Sequence, residues 1–111
     1  MTGLGFIEKM RATAAAERWV AHVRFPGVSV EAANGARKTL VATFVRGWAD
    51  QRLTPLTEKE AFDGFAAKFV GSLPVEIKEQ PSIAQTMKGL EVAFRAGWGA
   101  GTRYSLGIKL P

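Results

Sequence analysis

Residues 90–111 read Leu90-Glu91-Val92-Ala93-Phe94-Arg95, then Ala96-Gly97-Trp98-Gly99-Ala100-Gly101, then Thr102-Arg103-Tyr104-Ser105-Leu106-Gly107-Ile108-Lys109-Leu110-Pro111. In the first part Leu90, Val92 and Phe94 alternate with Glu91, Ala93 and Arg95. In the third, Tyr104, Leu106, Ile108 and Leu110 alternate with Arg103, Ser105, Gly107 and Lys109. Apolar residues at every second position, on both sides of a loop with three glycines, predict a β-hairpin over residues 89–110 with one buried face. Its tip, residues 96–101, is glycine-rich and carries Trp98, with Arg95 and Arg103 at its base.

Working back along the chain, Pro81-Ser82 introduces a short helical turn around Ile83–Met87, and Val75–Glu79 reads as a short strand or extended piece. The clearest helix signal lies before these. Thr57-Glu58-Lys59-Glu60 is a capping box, in which the Thr57 hydroxyl takes the Glu60 amide and the Glu60 side chain reaches back. Phe62, Phe65 and Phe69 then recur at helical spacing and are expected to be buried over residues 57–72. Leu40, Val41, Phe44, Val45 and Trp48 give a second helix, from about residue 36 to 51. Residues 28–36 support two readings: a strand ending in the Asn34-Gly35 turn signal, or an earlier helix start capped by Ser29. Trp19, Ala21, Val23 and Phe25 alternate like a strand that Pro26-Gly27 stops. Residues 5–18 are rich in alanine and read as a helix with an apolar stripe of Ile7, Met10 and Ala14. The expected fold is therefore α+β: a small single domain over residues 1–111, with three or four helices packed on a short antiparallel sheet that includes the C-terminal β-hairpin.

Composition bounds the function. The chain has 111 residues, 47% of them hydrophobic, a net charge of +5, one histidine and no cysteine. Disulfides, thiolate zinc sites and cysteine nucleophiles are excluded. No apolar run approaches the roughly 18 residues of a membrane span, and the N-terminus lacks a signal-peptide pattern; the expectation is a cytoplasmic protein with no membrane association. Both ends are basic and the middle is slightly acidic. Residues 1–52 hold eight bases and four acids, and residues 92–111 hold three bases and no acid. If the ends meet, they form one positive surface suited to an acidic partner or to nucleic acid.

Catalytic motifs do not emerge. His22 stands alone, which argues against a metal site. Glu58 and Glu60 are accounted for by the capping box, and no serine sits in a nucleophile elbow. Gly97, Gly99 and Gly101 precede an alternating run rather than a helix, so they do not make a dinucleotide cradle. The expectation is a protein that is not an enzyme and needs no cofactor or metal.

The arrangement Gly99-Ala100-Gly101, five residues, then Gly107-Ile108 resembles the glycine-rich loop of the ferredoxin-like RNA-binding subunits of CRISPR systems. The resemblance covers about 15 of the 111 residues. It implies an RNA-facing loop backbone, with Gly99, Gly101, Arg103 and Gly107 in the contact.

The leading expectation is a non-enzymatic binding subunit or adaptor of a larger macromolecular assembly, with a protein partner held by the basic glycine-rich hairpin. Its binding residues are expected to be Arg95, Trp98, Gly99, Gly101, Arg103 and Tyr104, with Arg37 and Lys38 on the same basic surface. The alternative is a nucleic-acid-binding module, for RNA or DNA, that also uses Arg18, Arg24, Arg46 and Lys109. Self-association into an oligomer is compatible with either.

Overall fold

The computed structural model describes residues 3–107, and among these every regular element is a helix. The order is α1 (Phe6–Val20), α2 (Val30–Leu53), α3 (Glu58–Gly71), the single turn α4 (Val75–Lys78) and α5 (Ile83–Ser105). The expected α+β fold is thus corrected: the described residues contain no strand and no sheet for helices to pack on.

The largest correction is the hairpin. Residues 89–105 belong to α5, and Ile108, Lys109 and Leu110 lie outside the described residues. The buried positions of α5 are Leu90, Ala93, Phe94, Gly97, Ala100 and Gly101. That spacing is i, i+3, i+4, i+7, i+10 and i+11, one face of a helix. Val92, which the alternation placed beside Leu90 and Phe94, is turned outward and exposed.

Glycine in a helix interior costs about 1 kcal/mol relative to alanine, so its presence there needs a compensating contact. Helices α2 and α5 supply one. A Cβ on Gly47 would overlap the carbonyl oxygen of Phe94, and one on Gly97 would overlap that of Phe44. A Cβ on Gly101 would stand 3.1 Å from the carbonyl oxygen of Trp48. Two glycines from α5 and one from α2 therefore let the two backbones touch along a seam. Phe44 meets Gly97, Trp48 meets Gly101, and Arg52 donates to the Ser105 hydroxyl at 3.0 Å. These pairs advance by four residues on both helices, so α2 and α5 run in the same direction.

Helix α1 runs against this pair. Its Trp19 ring lies 5.8 Å from that of Phe44, and its Glu8 accepts from the Trp48 indole N–H at 2.8 Å and from Arg52 at 2.7 Å. The face it buries is largely alanine: Ala12, Ala15 and Ala16, with Val20. Small side chains bring α1 close to Phe44, Trp48 and Ala100, which form the core cluster with these alanines. The stripe that periodicity picks out, Ile7, Met10 and Ala14, faces outward instead. The expected strand after Arg18 is also corrected. Trp19 and Val20 complete α1, and the chain then turns at Pro26-Gly27. Gly27 has φ 74° and the Val28 N–H donates to the Phe25 carbonyl, which is a type II turn with proline and glycine in the positions that favour them.

Of the two readings of residues 28–36, the structure has the helix. Ser29 caps α2 by accepting from the Ala32 N–H, and Asn34-Gly35 lies inside the helix. Val75–Lys78 is a helical turn rather than a strand. The capping box of α3 is present as the sequence has it. The Thr57 N–H donates to Glu60 Oε1 at 3.0 Å, and the Glu60 N–H donates to Thr57 Oγ1 at 3.2 Å. The Thr57 backbone N–H foremost, and after it the Thr57 hydroxyl, hold the Glu60 carboxyl below its ordinary pKa. Helix α3 lies across α2 and α5, with Phe62 and Phe65 at 5.5 and 5.6 Å from the Phe94 ring. Phe62, Phe65 and Phe69 are half-buried rather than enclosed, and Ala61 is the buried residue of this helix.

Candidate functional site: a basic groove between α1 and α5

Because α1 packs through alanines and α5 has only glycine at position 99, the space between them on one side stays open. It forms a groove of about 480 Å³. Arg18 and Trp19 line it from α1 and His22 from the turn that follows, and Arg95, Gly99 and Arg103 line it from α5, with Ala15, Ala96, Ala100 and Phe44 as its floor. Both walls follow from helical spacing. Arg95, Gly99 and Arg103 recur at i, i+4 and i+8, and Ala15, Arg18 and Trp19 at i, i+3 and i+4, with the turn after α1 adding His22 beside them. Among the described residues, no carboxylate lines it.

The four polar side chains are exposed at the rim, while Trp19 is half-buried against Phe44. Arg95 is held from outside the groove: Nη2 pairs with Glu91 at 2.7 Å, and Nη1 lies 3.6 Å from Glu58. Those contacts fix its guanidinium at the edge and partly neutralise it. Gly99 has nothing within 4 Å of the position a Cβ would take, so its backbone borders open space. The arrangement offers arginine forks and an indole wall to an anionic group; arginine pairs bidentately with carboxylate and phosphate.

The structure therefore divides the residues expected to act together at a hairpin tip. Arg95, Gly99 and Arg103 share the groove. Gly101 lies in the α2–α5 seam. Trp98 is half-buried, stacked on Phe94 with centroids 6.3 Å apart. Tyr104 is half-buried between Trp48, at 5.3 Å, and the Arg52 guanidinium, at 5.5 Å. Arg37 and Lys38 are elsewhere, on α2. Arg37 covers the Phe25 ring at 5.0 Å and donates to Asn34 Oδ1, and Lys38 is exposed beside α1 and α3.

The resemblance to CRISPR RNA-binding subunits does not survive this geometry. Gly99 and Gly101 are turns of a helix, not a loop between strands. Gly107, with φ 73°, follows the α5 C-cap Leu106 and donates to the Tyr104 carbonyl, the usual work of a glycine that closes a helix.

Trp19 and His22 are the groove residues that the strand reading hid. The spacing of Ala15, Arg18 and Trp19 was the available signal: they fall on one side of a helix that continues past Arg18, with His22 in the turn just beyond its end.

Among the described residues, no group of three or more histidine, cysteine, aspartate or glutamate side chains is placed to hold a metal ion. No helix of the described residues is long and apolar enough to cross a membrane. Comparison with protein-family models, curated proteins and solved structures found no match to the chain.

Proposed function

We propose that the protein is a non-enzymatic binding subunit of a larger assembly, and that its groove between α1 and α5 takes an acidic segment of a protein partner. The observation that carries this reading is the set Arg18, His22, Arg95 and Arg103 around Trp19, with no carboxylate lining the groove among the described residues. A glutamate or aspartate side chain entering there meets arginine forks from two helices, and its stem lies on the Trp19 ring. The same composition supports binding over catalysis. His22 is the one imidazole of the groove, and among the described residues no lining carboxylate or hydroxyl stands ready to complete an acid–base or nucleophilic pair with it.

A protein partner is favoured over nucleic acid because the groove is short and its Arg95 faces two glutamates. A strand of phosphates needs a basic track, and Arg37 and Lys38 do not extend this one. An RNA-binding reading keeps one supporting feature, the indole of Trp19 beside Arg18.

Hexaglutamate, titrated against the protein by calorimetry, should bind at the groove. Arg103→Glu and Arg18→Glu should each weaken binding about tenfold or more, equivalent to about 1.4 kcal/mol, with an unchanged thermal midpoint. Lys38→Glu, the same charge change outside the groove, should leave affinity nearly intact. Equal losses from all three variants would make the binding a net-charge effect and overturn the assignment. Tighter binding of oligo(U) than of hexaglutamate, with a salt slope of about −0.7 per neutralised phosphate, would move the partner to nucleic acid.

A further inference from the structure

Helix α1 is apolar on two sides. One side makes the alanine contact with the core. On the other, Phe6, Ile7 and Met10 are 79%, 65% and 57% exposed. Beside this apolar ridge runs a row of Lys9, Thr13 and Glu17, and beyond the row lies a hollow of about 720 Å³ between α1 and α2, floored by Val20, Val41 and Val45. An exposed ridge of large apolar residues next to an apolar hollow marks an interaction surface.

We propose that the protein forms a twofold homodimer through α1, with the two α1 helices antiparallel about an axis at Thr13. The occupant is a second copy because each copy carries both halves of the contact, as an isologous interface requires. Reversing α1 about Thr13 sets Phe6 opposite the partner's Val20, so that each phenyl ring enters the other copy's hollow. The same reversal sets Lys9 opposite the partner's Glu17. These two positions are eight residues apart, about 12 Å along the helix, and the symmetry forms the ion pair twice. Neither Lys9 nor Glu17 makes an ion pair within the chain among the described residues. A parallel arrangement would oppose lysine to lysine and glutamate to glutamate, so the charges select the antiparallel one. Arg18, Trp19 and His22 face α5 from the opposite side of α1, and the basic groove stays open in the dimer. The inference is independent of the proposed binding function.

Sedimentation equilibrium of the full chain, from micromolar to millimolar concentration, tests it. The wild-type mass should rise from that of one copy to that of two. Phe6→Glu and Met10→Glu, at exposed positions, should each raise the dissociation constant about tenfold or more while leaving the helical circular dichroism unchanged. Lys9→Glu and Glu17→Lys should each weaken the dimer, and the two together in one chain should restore it, because the exchanged charges meet again across the axis. A wild-type protein that stays monomeric throughout would overturn the proposal. So would a dimer insensitive to Phe6→Glu and Met10→Glu, or a charge-exchanged double variant no tighter than the single ones.

Discussion

Trp48→Ala is expected to lower the free energy of unfolding by about 3–5 kcal/mol, the range for deleting a packed aromatic side chain. Trp48 is fully buried where all three long helices meet. Its ring packs on Tyr104 of α5, and its N–H holds Glu8 of α1 at 2.8 Å. Truncation opens a cavity and also removes one of the two donors to a mostly buried carboxylate, leaving Arg52 to hold Glu8 alone at 2.7 Å. Trp48→Phe should cost clearly less, since it keeps most of the volume and loses the N–H. Urea unfolding gives both numbers. A loss below about 1 kcal/mol for Trp48→Ala, typical of surface positions, would mean that α1 and α5 do not close over α2 as described.

The second large effect is a change of sign between neighbouring glycines. Gly97→Ala should destabilise the protein, at the upper end of the about 1–3 kcal/mol that overpacking costs. The obstacle is the Phe44 carbonyl oxygen, which is backbone and cannot rotate away. Gly99→Ala, two residues on, meets nothing within 4 Å. It should stabilise α5 by about 0.5–1 kcal/mol through helix propensity. A glycine-rich hairpin loop behaves differently. Positions that need positive φ lose stability on gaining a Cβ, and the two substitutions then fall on the same side. Paired denaturation curves of the two variants decide between the helix and the loop.

That contrast also explains what the sequence conceals. Helix signals resting on a named hydrogen bond or a run of large side chains were legible. The Thr57–Glu60 box, the Ser29 cap among its alternatives, and the stripe from Leu40 to Trp48 all appear in the structure. The reading failed where burial is carried by small residues. In α5 the inward face includes Ala93, Gly97, Ala100 and Gly101, which a hydrophobic pattern does not weigh. The large residues Leu90, Val92 and Phe94 happen to alternate. Glycine, normally a helix breaker, is here the residue that admits a second backbone, and only the identity of the neighbour reveals it. In α1, likewise, the core face is alanine, and the large residues Phe6, Ile7 and Met10 point to solvent.

The site was legible in its parts but not in its assembly. Arg95, Gly99 and Arg103 were expected to act together and do share one wall. Trp98, Gly101 and Tyr104 were grouped with them only because a hairpin tip would collect them; a helix distributes the same residues around its circumference. The opposite wall, Arg18, Trp19 and His22, depends on α1 continuing two residues past Arg18, a boundary that local alternation obscured.

The most direct test of the account is an amide-resolved NMR titration of the protein with hexaglutamate. It asks whether the glycines of one short segment serve two different faces of α5. The predicted result is a shift of the Gly99 and Arg103 amides and of the Trp19 indole N–H, while Gly97 and Gly101, sealed against α2, stay in place. Joint movement of all three glycines, or shifts confined to residues outside the groove such as Arg37 and Lys38, would contradict it.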